Sequence, residues 1–242
     1  MDKGLELKLQ RWSAWSGFLL LAAFIVAFTM GKLMPPWDPN LGADGVVEML
    51  VDNRTAILLA VVIMVLAVPF EYPFVVVTSL QLRRIEGGWG IISMIQLLTG
   101  VVAPIGFFFP LAIMAAAAYR PEAHSPDVLL ALTDVFWLML VGNACIFVLQ
   151  VWSIGFGALI DKRAKPVFPR WFAYLNFLLG FLLIPGAFVF LFKTGPLAWN
   201  GLFAFWIPSM VYFVWKIATP WLLLKAVESE AEEVAAASPA AS

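Results

Sequence analysis

Apolar runs, each long enough to cross a bilayer and separated only by short polar breaks, recur along almost the whole chain. A crossing helix needs about 20 such residues. In hydrocarbon every backbone N–H and C=O must be paired within the protein, so runs of this length fold as helices. The 242 residues are 62% hydrophobic and 13% charged, with a mean hydropathy of +0.92. Soluble domains carry about a quarter charged residues. The expected fold is therefore all-α: a polytopic membrane bundle of six transmembrane helices, several proline-kinked, over 12–34, 55–81, 88–119, 127–160, 171–192 and 197–224. Residues 1–11 read as a cytoplasmic juxtamembrane segment and 12–225 as the membrane domain. Residues 226–242, acidic, alanine-rich and poor in bulky apolar groups, read as a cytoplasmic tail that frays and then loses order.

The basic residues sort by side. Lys3, Lys8, Arg11, Arg83, Arg84, Lys162, Arg163, Lys165, Arg170 and Lys225 fall on one side of the six runs, against Lys32, Arg54, Arg120 and Lys193 on the other. The positive-inside rule places the richer side, with both termini, in the cytoplasm. The first run lacks a small-residue cleavage site and is expected to stay as an anchor in the cytoplasmic membrane, taken as bacterial for want of any organelle-targeting segment. A net charge of −1 argues against nucleic acid as a partner. Trp12, Trp15, Trp37, Trp89, Trp171, Trp199 and Trp221 fall near span ends and read as interfacial anchors. In the loop 35–53, Asp44 is expected to cap a short helix whose Val46, Val47, Met49 and Leu50 face the bilayer.

One His and one Cys, His124 and Cys145, provide no transition-metal site and no internal disulfide, and Cys145 reads as a small buried hydrophobe. No metal or cofactor is expected. What stands out is charge inside the spans. Ionisable groups there are costly and usually face the protein interior; Glu71, Asp134 and Lys216 qualify. At about 1.5 Å per residue, Glu71 lies roughly 18 Å from Arg83, Gln96 roughly 18 Å from Arg84, and Lys216 roughly 13 Å from Lys225. Helical spacing then predicts polar stripes. Thr78 follows Glu71 by two turns; Ser93, Gln96, Thr99 and Gly100 share a face; Ser209, Tyr212, Lys216 and Thr219 share another; and Asn143 pairs with Gln150, with Asp134 on the opposite side of that helix.

Pairing of Glu71 with Lys216 would relieve the burial of both charges, inside a bundle lined by Gln96, Asn143 and Gln150 and approached by Tyr212. Pro69 and Pro73 remove backbone donors beside Glu71, while Pro104, Pro110, Pro185 and Pro208 interrupt three further spans and splay the bundle. These polar residues read either as a ligand site, as glue between helices, or as part of an ion path. Arg83, Arg84 and Arg170, at cytoplasmic span ends, are candidates for anionic lipid phosphates. The leading functional expectation is binding or transport of a small apolar molecule or lipid. The alternatives are an accessory or scaffold subunit with a membrane-protein partner or a second copy, and an intramembrane enzyme built on Glu71, Tyr212 and Lys216.

Overall fold

The computed structural model describes residues 2–237. Among them there is no strand, and six helices are long and apolar enough to cross a membrane: Lys3–Met30, Arg54–Glu86, Ile91–Tyr119, Pro126–Ile160, Arg170–Phe190 and Leu202–Ala237, called spans 1 to 6. The chain is a multi-pass helical membrane bundle. Consecutive spans are neighbours, and span 6 returns to pack along span 1, which closes the six into a ring and leaves both termini at one end.

Spans 1 and 6 both run further than their apolar stretches. Asp2 caps span 1 by accepting from the Leu5 N–H (3.3 Å), and the helix covers 3–11 as well as the apolar run. At the other extreme, 226–237 continue span 6. The two extensions meet over the end of span 2. Glu230, 7% exposed, accepts from Lys3 Nζ (2.8 Å) and Gln81 Nε2 (3.0 Å), and Gln81 also donates to Gln10 (2.7 Å). Arg84 donates to Glu233 (2.9 Å), Gln81 Oε1 (2.6 Å) and the Ala226 carbonyl (3.1 Å). Acidic residues that look like a solvated tail in sequence are here the counter-charges of span 2, while the disorder expected for 238–242 lies outside the described residues.

The opposite end is covered by the loop after span 1. Its short helix Ala43–Asp52 buries Val46 and Leu50 in the protein core instead of turning them to lipid, and packs on span 4. Gly42, not Asp44, precedes its first turn. Trp37 donates to the Lys32 carbonyl (2.8 Å) and accepts through its own carbonyl from Trp199 Nε1 (2.8 Å), tying this loop to the turn before span 6. Trp37 and Trp199 are thus buried latches, whereas Trp12, Trp15, Trp89, Trp171 and Trp221 are exposed, as anchors would be. Cys145 is exposed as well, contrary to the buried position expected of it.

Four spans lose α-helical regularity part-way across. Span 2 tightens to a 3₁₀ turn at Val68–Phe70, around Pro69. Span 4 does so at Asn143–Phe147 with no proline, directly after Gly142, where the Phe190 ring lies so close that a Cβ would clash with it. Gly and Asn are poor helix formers, and here they leave the ladder together. Span 5 ends in a 3₁₀ stretch, Ile184–Phe190, behind Pro185, and span 6 opens with a π turn, Leu202–Trp206, ahead of Pro208. Span 3 stays α-helical through Pro104 and Pro110.

Between spans 4 and 5, Asp161 holds the connecting loop in shape. Its side chain, 1% exposed, accepts from the Val167 N–H (2.8 Å), the Arg163 N–H (3.1 Å) and the Arg163 guanidinium (3.0 Å). Burial opposes the charge, but the hydrogen bonds from Arg163 and Val167 outweigh it and hold the carboxyl below its ordinary range. Asp161→Ala is expected to lower stability by about 1–3 kcal/mol, the cost of leaving buried donors unpaired. Because the folded-state value is depressed, the deficit is present in full above about pH 5 and shrinks as the pH falls below about 4. Thermal melts of both proteins in mild detergent across that range measure it.

Candidate functional site

Pro69 sets up the site. The break it causes makes Glu71 the first residue of a new helical segment, Glu71–Glu86, and its N–H still bonds back to the Val68 and Pro69 carbonyls of the 3₁₀ turn. Lys216, on span 6, donates to Glu71 Oε2 at 2.6 Å, with the two residues 1% and 5% exposed. The ammonium also lies 4.0 Å from the centre of the Phe74 ring, one turn beyond Glu71, and 5.5 Å from that of Trp215. These rings are themselves fixed. Trp215 Nε1 donates to Asn176 Oδ1 (2.8 Å), Asn176 donates to the Phe172 carbonyl (2.7 Å), and Phe74 meets Trp215 edge-on. Gly17 of span 1 lets this layer close: a Cβ there would sit 2.7 Å from the Phe74 ring and 2.8 Å from Pro220.

Above the pair, in the half of the bundle away from the termini, lies an apolar cavity of about 100 Å³ between spans 1, 3, 4, 5 and 6. Two irregular segments contribute to its walls: Asn143, Ala144 and Phe147 from the break in span 4, and Ala204 and Phe205 from the π turn, with Pro208 just after it and Leu183 just before the break in span 5. Gly106, between the two prolines of span 3, faces it too. Three of its lining residues carry polar side chains, Asn143, Ser209 and Tyr212. None makes a side-chain hydrogen bond to another described residue. A second void of about 10 Å³, the space of one water, lies beside Lys216. Phe24, Phe107 and Tyr212 line both spaces and so form the partition between them. Phe24 meets Phe107 edge-on at 5.9 Å.

The six residues expected around one pocket thus fall into two groups. Glu71, Lys216, Tyr212 and Asn143 belong to the pair and the cavity above it. Gln96 and Gln150 do not line this cavity. Gln96 hydrogen-bonds Ser79 of span 2, and the Gln150 amide abuts Gly100 of span 3. Both are buried, and the Nε2 of each has no partner among the described residues. Exchanging the amide oxygen and nitrogen of Gln96 gives Nε2 the Ser79 hydroxyl as acceptor, while Ser79 donates to the Val75 carbonyl (3.1 Å). Helix rotation explains the split. From Glu71 to Ser79 is eight residues, a turn of about 80° away from the face that meets span 6.

Asp134 stands apart, near Lys193 at the opposite end. Among the arginines, Arg84 pairs with Glu230 and Glu233. Arg83 is exposed and stacks on Trp89 (5.3 Å), and Arg170 is exposed at the start of span 5. Sequence spacing misses Ser79, Asn176 and the ring pair Phe74–Trp215. Ser209 carries the signal that finds it, since it lies three and seven residues from Tyr212 and Lys216. Among the described residues no cluster of His, Cys, Asp and Glu is arranged to hold a metal ion.

No family model, curated protein or solved structure matches this chain. The class that fold and site define is a six-span helical membrane protein with a buried ion pair beneath an apolar cavity.

The geometry assigns the pair a large part in holding spans 2 and 6 together. Glu71→Leu and Lys216→Met are each expected to cost about 3–5 kcal/mol, because each leaves a buried charge alone. Combining Lys216→Met with Glu71→Leu is expected to recover most of that loss. A double-mutant cycle measured by denaturant or thermal unfolding tests this; additive losses in the double variant would show that the two side chains do not act as a pair.

Proposed function

We propose that the protein binds a small, largely apolar molecule in the cavity between spans 1, 3, 4, 5 and 6, with the ligand's polar end toward Asn143, Ser209 and Tyr212. The observation that carries this reading is the combination of apolar walls with three polar side chains that lack partners within the described chain. Ligand sites have this composition: mostly hydrophobic and aromatic lining with a few convergent polar groups. In glue between helices, by contrast, the polar atoms satisfy one another, as Trp215 and Asn176 do. At about 100 Å³ the space is smaller than the apolar cavity of about 150 Å³ that takes up benzene, so a ring or alkyl chain is accommodated as the walls part. The breaks in spans 4 and 6 give the walls room to part, and an apolar ligand enters sideways from the lipid.

The excess of basic residues at the termini end supports an orientation with both termini in the cytoplasm of a cell bounded by this membrane. Exposed Arg83 and Arg170 would then meet anionic lipid headgroups. In a Cys145→Ala background, Ala164→Cys is expected to react with an impermeant maleimide only when the cytoplasmic face is opened, and Asn40→Cys in intact cells. The reverse pattern would invert the assignment.

Octanol carrying a diazirine tests the cavity directly, with the protein in lipid nanodiscs. Photolabelling is expected to saturate, to map to Phe107, Phe147 and Phe205, and to be displaced by unlabelled octanol. Ala144→Phe, which fills the cavity, should abolish the saturable part while the melting temperature stays close to that of the parent protein. Asn143→Leu should weaken it about tenfold, the worth of one hydrogen bond. Labelling that rises linearly with probe and spreads over lipid-facing positions, or is indifferent to Ala144→Phe, counts against the site.

A further inference from the structure

We infer that the ligand of this cavity carries an uncharged hydrogen-bonding head, such as a hydroxyl, carbonyl or amide, and is neither an ion nor a plain hydrocarbon. The inference rests on the cavity reading above and narrows it to a chemical class.

The lining excludes ions. Among the described residues around the cavity there is no carboxylate, ammonium, guanidinium or imidazole. Beneath it, Glu71 and Lys216 are spent on one another at 2.6 Å. Lys216 is further covered by the Phe74 ring, and it stands behind the partition of Phe24, Phe107 and Tyr212. A charged head entering from above would leave water and find no opposite charge, a loss that apolar contacts of this extent do not offset. Reaching Lys216 would require it to part the rings and displace Glu71, which would leave that carboxylate alone in turn.

The polar groups exclude hydrocarbon. Asn143 offers both an amide donor and a carbonyl acceptor, and Ser209 and Tyr212 each offer a hydroxyl that donates or accepts. A ligand without a head would cover these groups and leave them unpaired, which costs more than the alkyl contacts distinguish. A neutral head satisfies them, and a hydroxyl or amide does so in both senses. The pair beneath takes a supporting part. It holds span 6 against span 2, and so fixes Tyr212, one turn from Lys216 and stacked on Trp215 at 5.9 Å, at the cavity floor.

A matched series of eight-carbon compounds tests this by displacement of the diazirine octanol, each compared at equal mole fraction in the nanodisc membrane. Octanol is expected to displace at least tenfold better than octane. It should also displace at least a hundredfold better than octane-1-sulfonate or octyltrimethylammonium, whose charges are permanent. In Tyr212→Phe and Asn143→Leu the octanol-to-octane ratio should fall toward one, a ratio that does not depend on how much of the protein is folded. If either charged compound displaces the probe as well as octanol does, the uncharged-head inference is wrong while the cavity reading stands. If octane matches octanol, the claim of a polar head is wrong in the same way. If octanol itself fails to displace, the cavity reading and this inference fall together.

Discussion

A carboxylate and an ammonium inside a helical bundle have two ways to escape the cost of burial: reach water or reach each other. Glu71 and Lys216 take the second, and the requirement that they meet at 2.6 Å fixes the rotation and depth of span 2 against span 6. Each neighbouring feature serves the contact. Pro69 tightens the helix to a 3₁₀ turn, so that the carboxylate begins the segment beyond it. Phe74 covers the ammonium, Gly17 of span 1 leaves room for Phe74, and Asn176 of span 5 orients Trp215 behind it. Four of the six spans are thereby held in register around one ion pair.

The cavity follows from the same packing. Regular helices with small residues at their contacts can approach closely, as span 1 does at Gly17. Where the ladder is broken, carbonyls and bulky rings prevent that approach, and irregular backbone is tolerated at membrane depth only if it is covered by protein or faces an internal space. The breaks in spans 4 and 6 both border one space, which is why a void opens on that side of the ion pair and not on the side of Gln96, where spans 2 and 3 stay helical and close. Trp37 and Trp199 close the end above by joining loops far apart in sequence.

The number of spans, their order and the depth of the two charges could be read from the sequence, because hydropathy and a rise of 1.5 Å per residue decide them. Rotation could not. A stripe marks which residues share a face but not which neighbour that face meets, so Gln96 and Gln150 look like companions of Glu71 although they lie against other helices. Composition also misleads where a charge has a distant partner. Glu230 looks like part of a solvated tail until Lys3, Gln81 and Arg84 are brought to it from residues far away in the chain. The break in span 4 was hidden because it rests on Gly142 and Asn143 instead of a proline. Trp37 resembles an interfacial anchor because a tryptophan at a span end looks the same whether its N–H meets a headgroup or a backbone carbonyl.

Polar groups within this bundle therefore divide by whether they are satisfied, and the division bears on function more than their identity does. Glu71 and Lys216 are the most conspicuous residues in the sequence, yet they are saturated: the ammonium has a carboxylate and two rings, and any ligand that used it would first have to replace them. Asn143, Ser209 and Tyr212 are ordinary by comparison, but they face open space with hydrogen-bonding capacity unused. Recognition draws on capacity that the fold has left free. The cost of burying charge makes Glu71 and Lys216 a structural clamp in this arrangement, and the neutral Asn143, Ser209 and Tyr212 are the groups that the proposed ligand would meet.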